Sequence, residues 1–415
     1  MSSEVGVEMC PPGWSLTALT GYVTHKSGDS KIIKGKQSSA PASGLVQGYS
    51  ASGPDVWVEE AKYHGPGIVV SAVGARCGKT FLADGQWTAI ANTHAIIPKH
   101  GLDPKFFWYV TNREEWWVKS GTAQPFVKVK DTLERPFAMP PFEEQREIVR
   151  ILEEQFSRLD AAAASIAAVR RKADQFRRSL LNFAFDEGPS SRSKGGSGVE
   201  GVGSWSTESL RQIASGGLFV DGDWVESKDQ DPNGQIRLTQ LADVGVGVFK
   251  DKSDRWLRRD QAAKLGVTFL EENDLLIARM PDPLGRCCAV PKLPSDAVTV
   301  VDVAILRIAR TDIDSRFVMW ALNSPKMRAA MTKVASGTTR LRISRKNLES
   351  IEIPIPVLEE QMKVVEALED QFSRLEKSLA SVDEIERRIS ALRRSLLHAA
   401  FTGELTKIWR EKNNG

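Results

Sequence analysis

The sequence is poor in the residues that build metal sites and disulfide frameworks. It has 4 cysteines and 5 histidines among 415 residues, and Cys10, Cys77 and the adjacent Cys287 and Cys288 show no CxxC or Cys/His ligand spacing. This pattern predicts a protein of a reducing compartment that holds no structural metal. A run of about 18 apolar residues is missing, as is an N-terminal cationic segment followed by an apolar one. We therefore expect a cytoplasmic protein that makes no membrane contact.

A strong overall charge is missing as well. Lys and Arg number 56 and Asp and Glu 53, which gives a formal net charge of +3. The bulk charge therefore does not indicate nucleic-acid binding, and any such surface must be local. Hydrophobic residues make up 41% and charged residues 26% of the chain, which are ordinary values for a globular protein. The length of 415 residues predicts two or three domains.

Three near-matches to catalytic motifs are incomplete. Gly74–Thr80 (GARCGKT) is one residue short of a P-loop and has Val73 where the first glycine is needed. Met139–Phe142 (MPPF) lacks the Asn, Asp or Ser with which an amino-methyltransferase motif begins. Gly245–Gly247 (GVG) is more typical of a turn than of a methyl-donor loop. Since no nucleophile with a nearby base stands out either, the sequence predicts binding rather than catalysis.

One segment of the chain occurs twice. Residues 140–185 align without a gap on residues 356–401, with 22 identical pairs among 46. The same offset of 216 residues aligns Ser120-Gly121-Thr122 with Ser336-Gly337-Thr338. Self-similarity of this kind indicates two unequal copies of one structural unit.

Both copies of the repeated segment predict a long helix of coiled-coil type. Apolar residues recur about every 3.5 positions in each copy, which is the period of a left-handed coiled-coil seam. Two such seams in one chain favour pairing with each other, although the periodicity is equally typical of an ordinary dimerisation coil. The predicted seam consists of Leu152, Phe156, Leu159, Ile166, Phe176, Leu180, Leu368, Phe372, Leu375, Val382, Leu392 and Leu396.

The repeat and a linker divide the chain into six predicted segments. Residues 188–204 are rich in Gly and Ser, a composition that behaves as a flexible tether. The predicted segments are a first variable domain at 14–139, a first long helix at 140–187, the linker at 188–204, a second variable domain at 205–355, a second long helix at 356–401 and a C-terminal tail at 402–415.

Two variable domains, each followed by proline and a long helix containing QFSRL and RRSLL, resemble the specificity subunit of type I restriction-modification systems. The strongest signals are Ile353–Pro356 (IPIP) followed by Glu359-Glu360-Gln361, and Asp274–Arg279 (DLLIAR). The first copy departs from the pattern at Phe137–Pro140 (FAMP) and at Ile68–Ser71 (IVVS). These departures leave the helices clear but make strand placement in the first domain uncertain.

The resemblance implies an architecture and a division of labour. The fold would be α+β, with two mixed α/β target-recognition domains separated by two long antiparallel coiled-coil helices in a pseudo-twofold repeat. Each domain would read one half of a bipartite, asymmetric site on double-stranded DNA, and the helices would set the spacing. Two methyltransferase subunits with S-adenosylmethionine, and any nuclease subunits with ATP and Mg, would supply the chemistry. This chain itself would hold no cofactor.

Contacts with DNA should come chiefly from Lys and Arg on loops, because these side chains hold phosphates and supply most of the affinity. A charge run is usually only a solvated face, so the basic residues are candidates as sets rather than singly. The DNA-binding candidates are Lys26, Lys31, Lys34, Lys36, Arg76, Lys79, Lys250, Lys252, Arg255, Arg258, Arg279, Arg286, Arg340, Arg342 and Arg345.

Two hypotheses from different classes follow. The chain is a DNA-reading subunit that selects a split duplex site, or it is a coiled-coil adaptor without sequence preference. A single-chain methyltransferase is disfavoured because the methyl-donor motifs are missing. The duplicated variable domain favours DNA reading, since an adaptor would not need it.

Overall fold

The computed structural model describes residues 10–185, 205–337 and 340–413. The chain forms two compact units: unit 1 comprises Met1–Ile166 and Asp383–Gly415, and unit 2 comprises Ala167–Val382. This division differs from the six predicted segments because each long helix contributes one part to each unit. The predicted linker at 188–204 lies outside the described residues.

The first variable domain, which lies in unit 1, is built mainly of strands. Its helices are α1 (Pro104–Thr111) and α2 (Val129–Leu133), and the long helix α3 (Phe142–Phe185) begins in this unit. The strands are β1 (Ser15–Ala18), β2 (Val23–Ser27), β3 (Val46–Ser50), β4 (Gly53–Val58), β5 (Tyr63–His64), β6 (Gly67–Ser71), β7 (Thr80–Ala83), β8 (Gln86–Ala89), β9 (Thr93–Pro98), β10 (Lys119–Ser120), β11 (Phe126–Val127) and β12 (Pro136–Met139).

Two four-stranded sheets form the body of this domain. One has the order β2-β9-β6-β7 and is antiparallel throughout. The other has the order β4-β3-β8-β5, in which β3 and β8 are parallel. β1 pairs with β12 just before the long helix, so the start and the end of the domain meet at that point.

Unit 2 contains the second variable domain. Its helices are α4 (Leu210–Ile213), α5 (Arg259–Leu265), α6 (Ser315–Asn323), α7 (Pro325–Lys333) and α8 (Arg345–Glu349), and the second long helix, α9 (Leu358–Phe401), begins here. The strands are β13 (Ser206–Ser209), β14 (Leu218–Asp221), β15 (Ile236–Thr239), β16 (Trp256–Leu257), β17 (Leu275–Ala278), β18 (Cys287–Ala289), β19 (Ala297–Thr299), β20 (Val303–Arg307) and β21 (Glu352–Ile355).

The strand order of unit 2 repeats that of unit 1. The antiparallel sheet β14-β20-β17-β18 corresponds to β2-β9-β6-β7. The sheet β16-β15-β19 contains a parallel pair, β15 and β19, as the β3 and β8 pair does in unit 1. β13 pairs with β21 before the second long helix, as β1 pairs with β12 before the first. The two domains therefore share one topology.

The central strands β6 and β17 explain why two different sequences adopt this topology. Ile68 and Val70 of β6 point into one core and Val69 into another, as the two-residue period of a strand requires. Leu275 and Ile277 of β17 likewise face one core, while Leu276 and Ala278 face a second. Continuous apolar runs suit strands that are covered on both faces. IVVS and LLIA therefore occupy equivalent positions, which resolves the strand placement in the first domain.

The long helices pair antiparallel in each unit taken by itself. In unit 1, Asp160 pairs with Arg393, and Glu144, earlier in α3, contacts the chain beyond the end of α9. In unit 2, Arg177 pairs with Glu376, and the end of α3 shares a core with the start of α9. Of the helices within the described ranges, none has the length and hydropathy of a membrane-crossing segment.

Two of the predicted seam residues do not lie in a closed seam. Phe176 is 44% exposed and Leu392 is 52% exposed, and for these two the seam prediction is wrong. Each follows another exposed apolar residue of the same helix by seven positions, Val169 at 46% and Ile385 at 49%. The helices thus show an apolar stripe to the outside beside the seam. The other predicted seam residues are buried or half-buried: Leu152, Phe156, Leu159, Ile166, Leu180, Leu368, Phe372, Leu375, Val382 and Leu396.

The C-terminal tail, to which the sequence pattern assigned no structure, folds onto unit 1. It contains helix α10 (Lys407–Asn413). The guanidinium of Arg410 pairs with the buried carboxylate of Glu144 at 2.5 Å, and Thr406 Oγ1 donates a hydrogen bond to the same carboxylate at 2.6 Å. The guanidinium also lies 5.6 Å from the ring centroid of Trp14. The tail is therefore a structural part of unit 1.

Candidate nucleic-acid interface

In unit 1 the loop between β6 and β7 lies beside a hairpin from later in the chain. The Gly74 amide donates to the Pro125 carbonyl and the Val127 amide to the Ala72 carbonyl, both at 2.9 Å. The loop carries the GARCGKT sequence and leads into β7, an antiparallel strand, whereas a P-loop leads into a helix. The loop carries Arg76, which is exposed, and Lys79, which is half-buried.

A basic and aromatic patch links this loop to the β3–β4 turn. Lys79 Nζ lies 5.2 Å from the ring centroid of Phe81. The same ring packs so closely on Gly53 that a Cβ there would be 3.0 Å from Phe81 Cε1. From the other side of the turn, Lys34 Nζ donates to Ser52 Oγ at 3.3 Å and pairs with Asp55 at 2.5 Å. Lys34 and Lys79 thus belong to one surface, although Asp55 already neutralises part of the charge of Lys34.

The other candidates of unit 1 are exposed. Lys26 lies on β2, an edge strand of its sheet. Lys31 and Lys36 lie in the loop between β2 and β3, and Arg76 lies in the loop between β6 and β7. Their placement leaves all four amino or guanidinium groups accessible to a phosphate backbone.

Unit 2 brings equivalent loops together. The Ile343 amide donates to the Arg279 carbonyl at 3.0 Å, which joins the end of β17 to the segment around Ser336 and Arg342. Gly121 and Gly337 both have positive φ, 87° and 112°. A Cβ on Gly121 would clash with the Gln124 carbonyl and one on Gly337 with the Arg340 carbonyl, each three residues ahead. The aligned glycines Gly121 and Gly337 therefore meet the same backbone requirement in the two domains.

Two predicted DNA contacts, Arg279 and Arg286, are wrong. Both side chains are buried, at 6% exposure each. Arg279 donates to the carbonyls of Ile343 and Val301, both at 3.0 Å. Arg286 donates to the carbonyls of Val244 and Leu241, both at 2.6 Å.

These two arginines brace the loops from inside. Burial lowers the pKa of both guanidinium groups, and the Asp221 carboxylate opposes this effect at Arg279. Main-chain carbonyls satisfy donors that would otherwise be costly to bury. Sequence alone could not separate them from surface arginines, because they stand at the two ends of a proline- and glycine-containing loop, 280–285, where an exposed arginine is equally expected.

The remaining candidates of unit 2 lie on the surface, and several of them already have a polar partner within the domain. Lys250, Lys252 and Arg340 are exposed. Four arginines have polar partners within the domain: Arg255 with Gln230 at 2.8 Å, Arg258 with Asp260 at 3.1 Å, Arg342 with Asp302 at 3.3 Å and Arg345 with Glu349 at 3.4 Å.

In each unit, a glutamine whose role was not predicted from the sequence joins the variable domain to its long helix. Gln145 Oε1 accepts the Asp103 amide at 2.8 Å, and its Nε2 donates to the carbonyls of Gly101 and Pro140, both at 3.0 Å. The carboxylate of Asp103 caps α1. The side chain of Gln145 is fully buried. It therefore ties the first turn of α3 to the start of α1.

Unit 2 repeats this arrangement at Gln361. Its Oε1 accepts the Asp314 amide at 2.8 Å, and its Nε2 donates to the carbonyls of Asp312 and Pro356 at 3.0 and 2.8 Å. Asp314 caps α6, the counterpart of α1. The signal in the sequence was the repeated EEQ, whose glutamine recurs at the same position of both copies.

The described residues offer no arrangement of three or more His, Cys, Asp or Glu side chains that could hold a metal ion. Three of the cysteines, Cys77, Cys287 and Cys288, are buried. Burial raises the pKa of the Cys288 thiol to about 12, so this thiol is protonated and poorly nucleophilic at neutral pH.

Comparison with known proteins gives a consistent result. A family model of the type I restriction modification DNA specificity domain matches residues 57–169 and 297–387. The type I restriction enzyme MjaVIII specificity subunit of Methanocaldococcus jannaschii is 23% identical over 305 residues, which cover 71% of this chain and 69% of that protein. The StySPI specificity subunit of Salmonella potsdam is 24% identical over 335 residues, covering 77% and 69%.

A solved structure shows the same fold. A chain from a study of complex assembly and conformational transition of the type I R-M system matches with a TM-score of 0.69 at 18% identity. The match covers 95% of this chain and 99% of that chain. The two segments recognised by the family model fall one in each half of the repeat. The chain belongs to the family of type I restriction-modification specificity subunits, the DNA-recognition components of these systems.

Proposed function

We propose that each recognition domain reads one half of a bipartite, asymmetric site on double-stranded DNA. The observation that carries this proposal is one strand topology present twice with different loops at the same edge. The β3–β4 turn of unit 1 contains two residues, whereas the corresponding connection of unit 2 runs from residue 240 to 255. A shared scaffold with different loops supports two readers of different base sequences.

Affinity would come from the exposed cations of both edges. The set in unit 1 is Lys26, Lys31, Lys34, Lys36, Arg76 and Lys79. The set in unit 2 is Lys250, Lys252, Arg255, Arg258, Arg340, Arg342 and Arg345. These residues would hold phosphates and fix the register, and sequence would be read by neighbouring side chains at base edges. Phe81 beside Lys79 would add an aromatic face to the first set.

The long helices would set the spacing between the half-sites. Each is a single helix of 44 residues, which at 1.5 Å per residue is about 66 Å of helix. The antiparallel pairing within each unit and the ion pairs Asp160–Arg393 and Arg177–Glu376 support a fixed register between the helices.

The exposed apolar stripes support docking of partner proteins on the helices. Val169 and Phe176 of α3 recur as Ile385 and Leu392 of α9, so each helix offers the same kind of surface. Two equivalent surfaces fit two methyltransferase subunits, which would carry S-adenosylmethionine. Restriction subunits, where present, would carry ATP and Mg. This chain would then be non-catalytic, hold no cofactor and act in the cytoplasm.

The first experiment isolates the tagged chain from its native cell and determines the composition and mass of the complex. We expect about two copies of a methyl-donor-binding protein per chain. Selection of randomised duplexes by that complex should then yield two half-sites separated by a gap of fixed length. Recovery of the chain alone, or a complex that selects no sequence, would instead favour the coiled-coil adaptor.

A second experiment tests the spacing role. Seven residues, two turns of a coiled-coil helix, are inserted into both long helices, after Ile166 and after Val382, so that the heptad pattern continues in each. The added length of about 10 Å corresponds to about three base pairs at 3.4 Å each. The preferred gap should lengthen by that amount in a complex of unchanged composition. An unchanged gap would contradict the spacing role and leave the half-site assignment intact.

A further inference from the structure

Residues 244–249 of unit 2 form a small hairpin on the surface of the recognition domain. Val244 and Phe249 pair across it, and the Gly245 amide donates to the Val248 carbonyl at 2.9 Å. Val244 is buried, and Phe249 packs against the same core. The base of the hairpin is therefore anchored in the domain.

Two buried charged residues hold this hairpin in place. The Asp243 carboxylate, which is fully buried, accepts the amides of Gln240 at 2.7 Å and Ser253 at 2.8 Å. Arg286 clamps the other side through the Leu241 and Val244 carbonyls. A loop held by buried, hydrogen-bonded charges loses little further freedom when it binds a ligand.

The tip offers an apolar surface next to a cation. Val246 is 42% exposed and Val248 is 53% exposed. A Cβ added to Gly245 would lie 2.8 Å from Val248 Cγ1 and 2.9 Å from Lys250 Cε, so these two side chains pass side by side over that glycine. Lys252 follows two residues later and is also exposed.

The glycines explain how the tip reaches this position. Gly247 has a φ of 70°, and a Cβ on it would lie 2.1 Å from the ring of Trp320. Its amide donates to the Cys287 carbonyl at 2.8 Å. No side chain fits there, so the GVGV sequence forms a turn pressed against the domain with a valine on each side of Gly247. Asp251, which stands between the two lysines, is paired with Arg237.

Unit 1 has no such element at the equivalent connection. Its β3–β4 turn consists of Ala51 and Ser52, which are small and in part polar. Within the described residues, the hairpin is thus a feature of the second domain, and it leads directly into the segment that carries Lys250 and Lys252.

We propose that the hairpin 244–249 is a DNA-reading element of the second recognition domain. Val246 and Val248 make apolar contact with base edges in a groove, and Lys250 and Lys252 hold the flanking phosphates. Apolar side chains read bases in this way, for example at the thymine methyl group. The inference rests on the proposed function and assigns the residues that would give the second half-site part of its sequence preference.

The test uses the complete complex purified with its methyltransferase subunits and the double variant V246S/V248S. The matched control is V357S, which changes a valine of the same unit that is 71% exposed and precedes α9. We expect the double variant to bind the selected site about tenfold more weakly and to lose base preference at one or more positions of the second half-site only. The control should bind and select as the unchanged complex does.

A second variant, K250A/K252A, separates phosphate contacts from base reading. It should weaken binding to all sequences alike and lower the slope of log affinity against log salt by about 1.8, without changing the selected site. Unchanged affinity and selection in V246S/V248S would overturn the inference. Loss of the methyltransferase subunits from that variant, with base preference retained, would overturn it too and assign the hairpin to a protein interface. Failure of the unchanged complex to select any split site would instead contradict the proposed function itself.

Discussion

The two units share a strand order and differ in the loops that connect the strands. Both contain a four-stranded antiparallel sheet, a sheet with one parallel pair, and a strand pair at the root of the long helix. Unit 1 connects β3 to β4 by two residues, whereas unit 2 inserts the hairpin 244–249 at the same point. The buried strands tolerate different apolar residues, so the topology persists while the loops diverge.

The EEQ sequence, present in both copies, shows the same contrast within three residues. Gln145 and Gln361 make three equivalent hydrogen bonds each. Glu144 is buried against Arg410 of the C-terminal tail, whereas its counterpart Glu360 is half-buried. Identical residues therefore have equal roles where they contact the repeated scaffold and unequal roles where they contact a segment that is not repeated.

The largest expected effect comes from removing the cation that pairs with Glu144, a contact that Glu360 does not share in unit 2. Arg410→Ala should destabilise unit 1 by about 3–5 kcal/mol, because it leaves the buried Glu144 carboxylate without its cation. Glu360→Gln should change the stability of unit 2 by less than about 0.5 kcal/mol, as surface changes usually do. Hydrogen exchange of each unit in denaturant measures both. Equal losses of stability in the two variants would contradict a stabilising role of the C-terminal tail that is specific to unit 1.

The next effect should be the same in both units. Gln145→Leu or Gln361→Leu leaves an amide and two carbonyls without their partner, and each should destabilise its own unit by about 2–4 kcal/mol. The Asp103 and Asp314 amides should exchange faster in the respective variants. Gln155→Leu, on the same helix as Gln145, is the control. A clear difference between the stability losses of the two variants would contradict equivalent roles of Gln145 and Gln361.

A smaller effect is expected on the salt dependence of DNA binding, which allows the candidate DNA surfaces of the two units to be compared. Lys79→Ala in unit 1 and Lys250→Ala in unit 2 should each lower the salt slope of DNA binding by about 0.9, since each removes one phosphate contact. Titration of the complex with its selected duplex at several salt concentrations gives the slopes. A change for one lysine only would show that the other domain holds DNA by different residues.

The smallest effect concerns the cysteines. Burial raises the pKa of Cys288 to about 12 and also raises that of Cys287. The native protein at pH 8 should therefore resist alkylation at both thiols, while half-buried Cys10 of unit 1 reacts first. Because the folded-state pKa values exceed the ordinary value of 9.0, the stability that the two protonated thiols contribute to unit 2 should decrease as the pH rises above 9. Mass spectrometry after alkylation and unfolding curves at pH 8 and pH 10 check these outcomes.

Family, fold class and long helices followed from the sequence because each leaves a local or repeated signal. Helical periodicity, proline before each helix and a second copy 216 residues later are all visible without knowing any contact. The candidate lysines on the loops could be named for the same reason. Arg279 and Arg286 could not be classified, since a surface arginine and a buried one at the end of a proline- and glycine-containing loop have the same local pattern.

The sequence by itself thus determined the duplication, the two helices and the basic loops, because periodicity and composition act over neighbouring residues. Only the tertiary structure decided which of the repeated glutamates is buried, which arginines brace loops and where Val246 and Val248 emerge. Those outcomes depend on partners far apart in the chain, such as Glu144 with Arg410 and Arg286 with Val244. Burial of a charge is favourable only where such partners meet, and that meeting is a property of the fold.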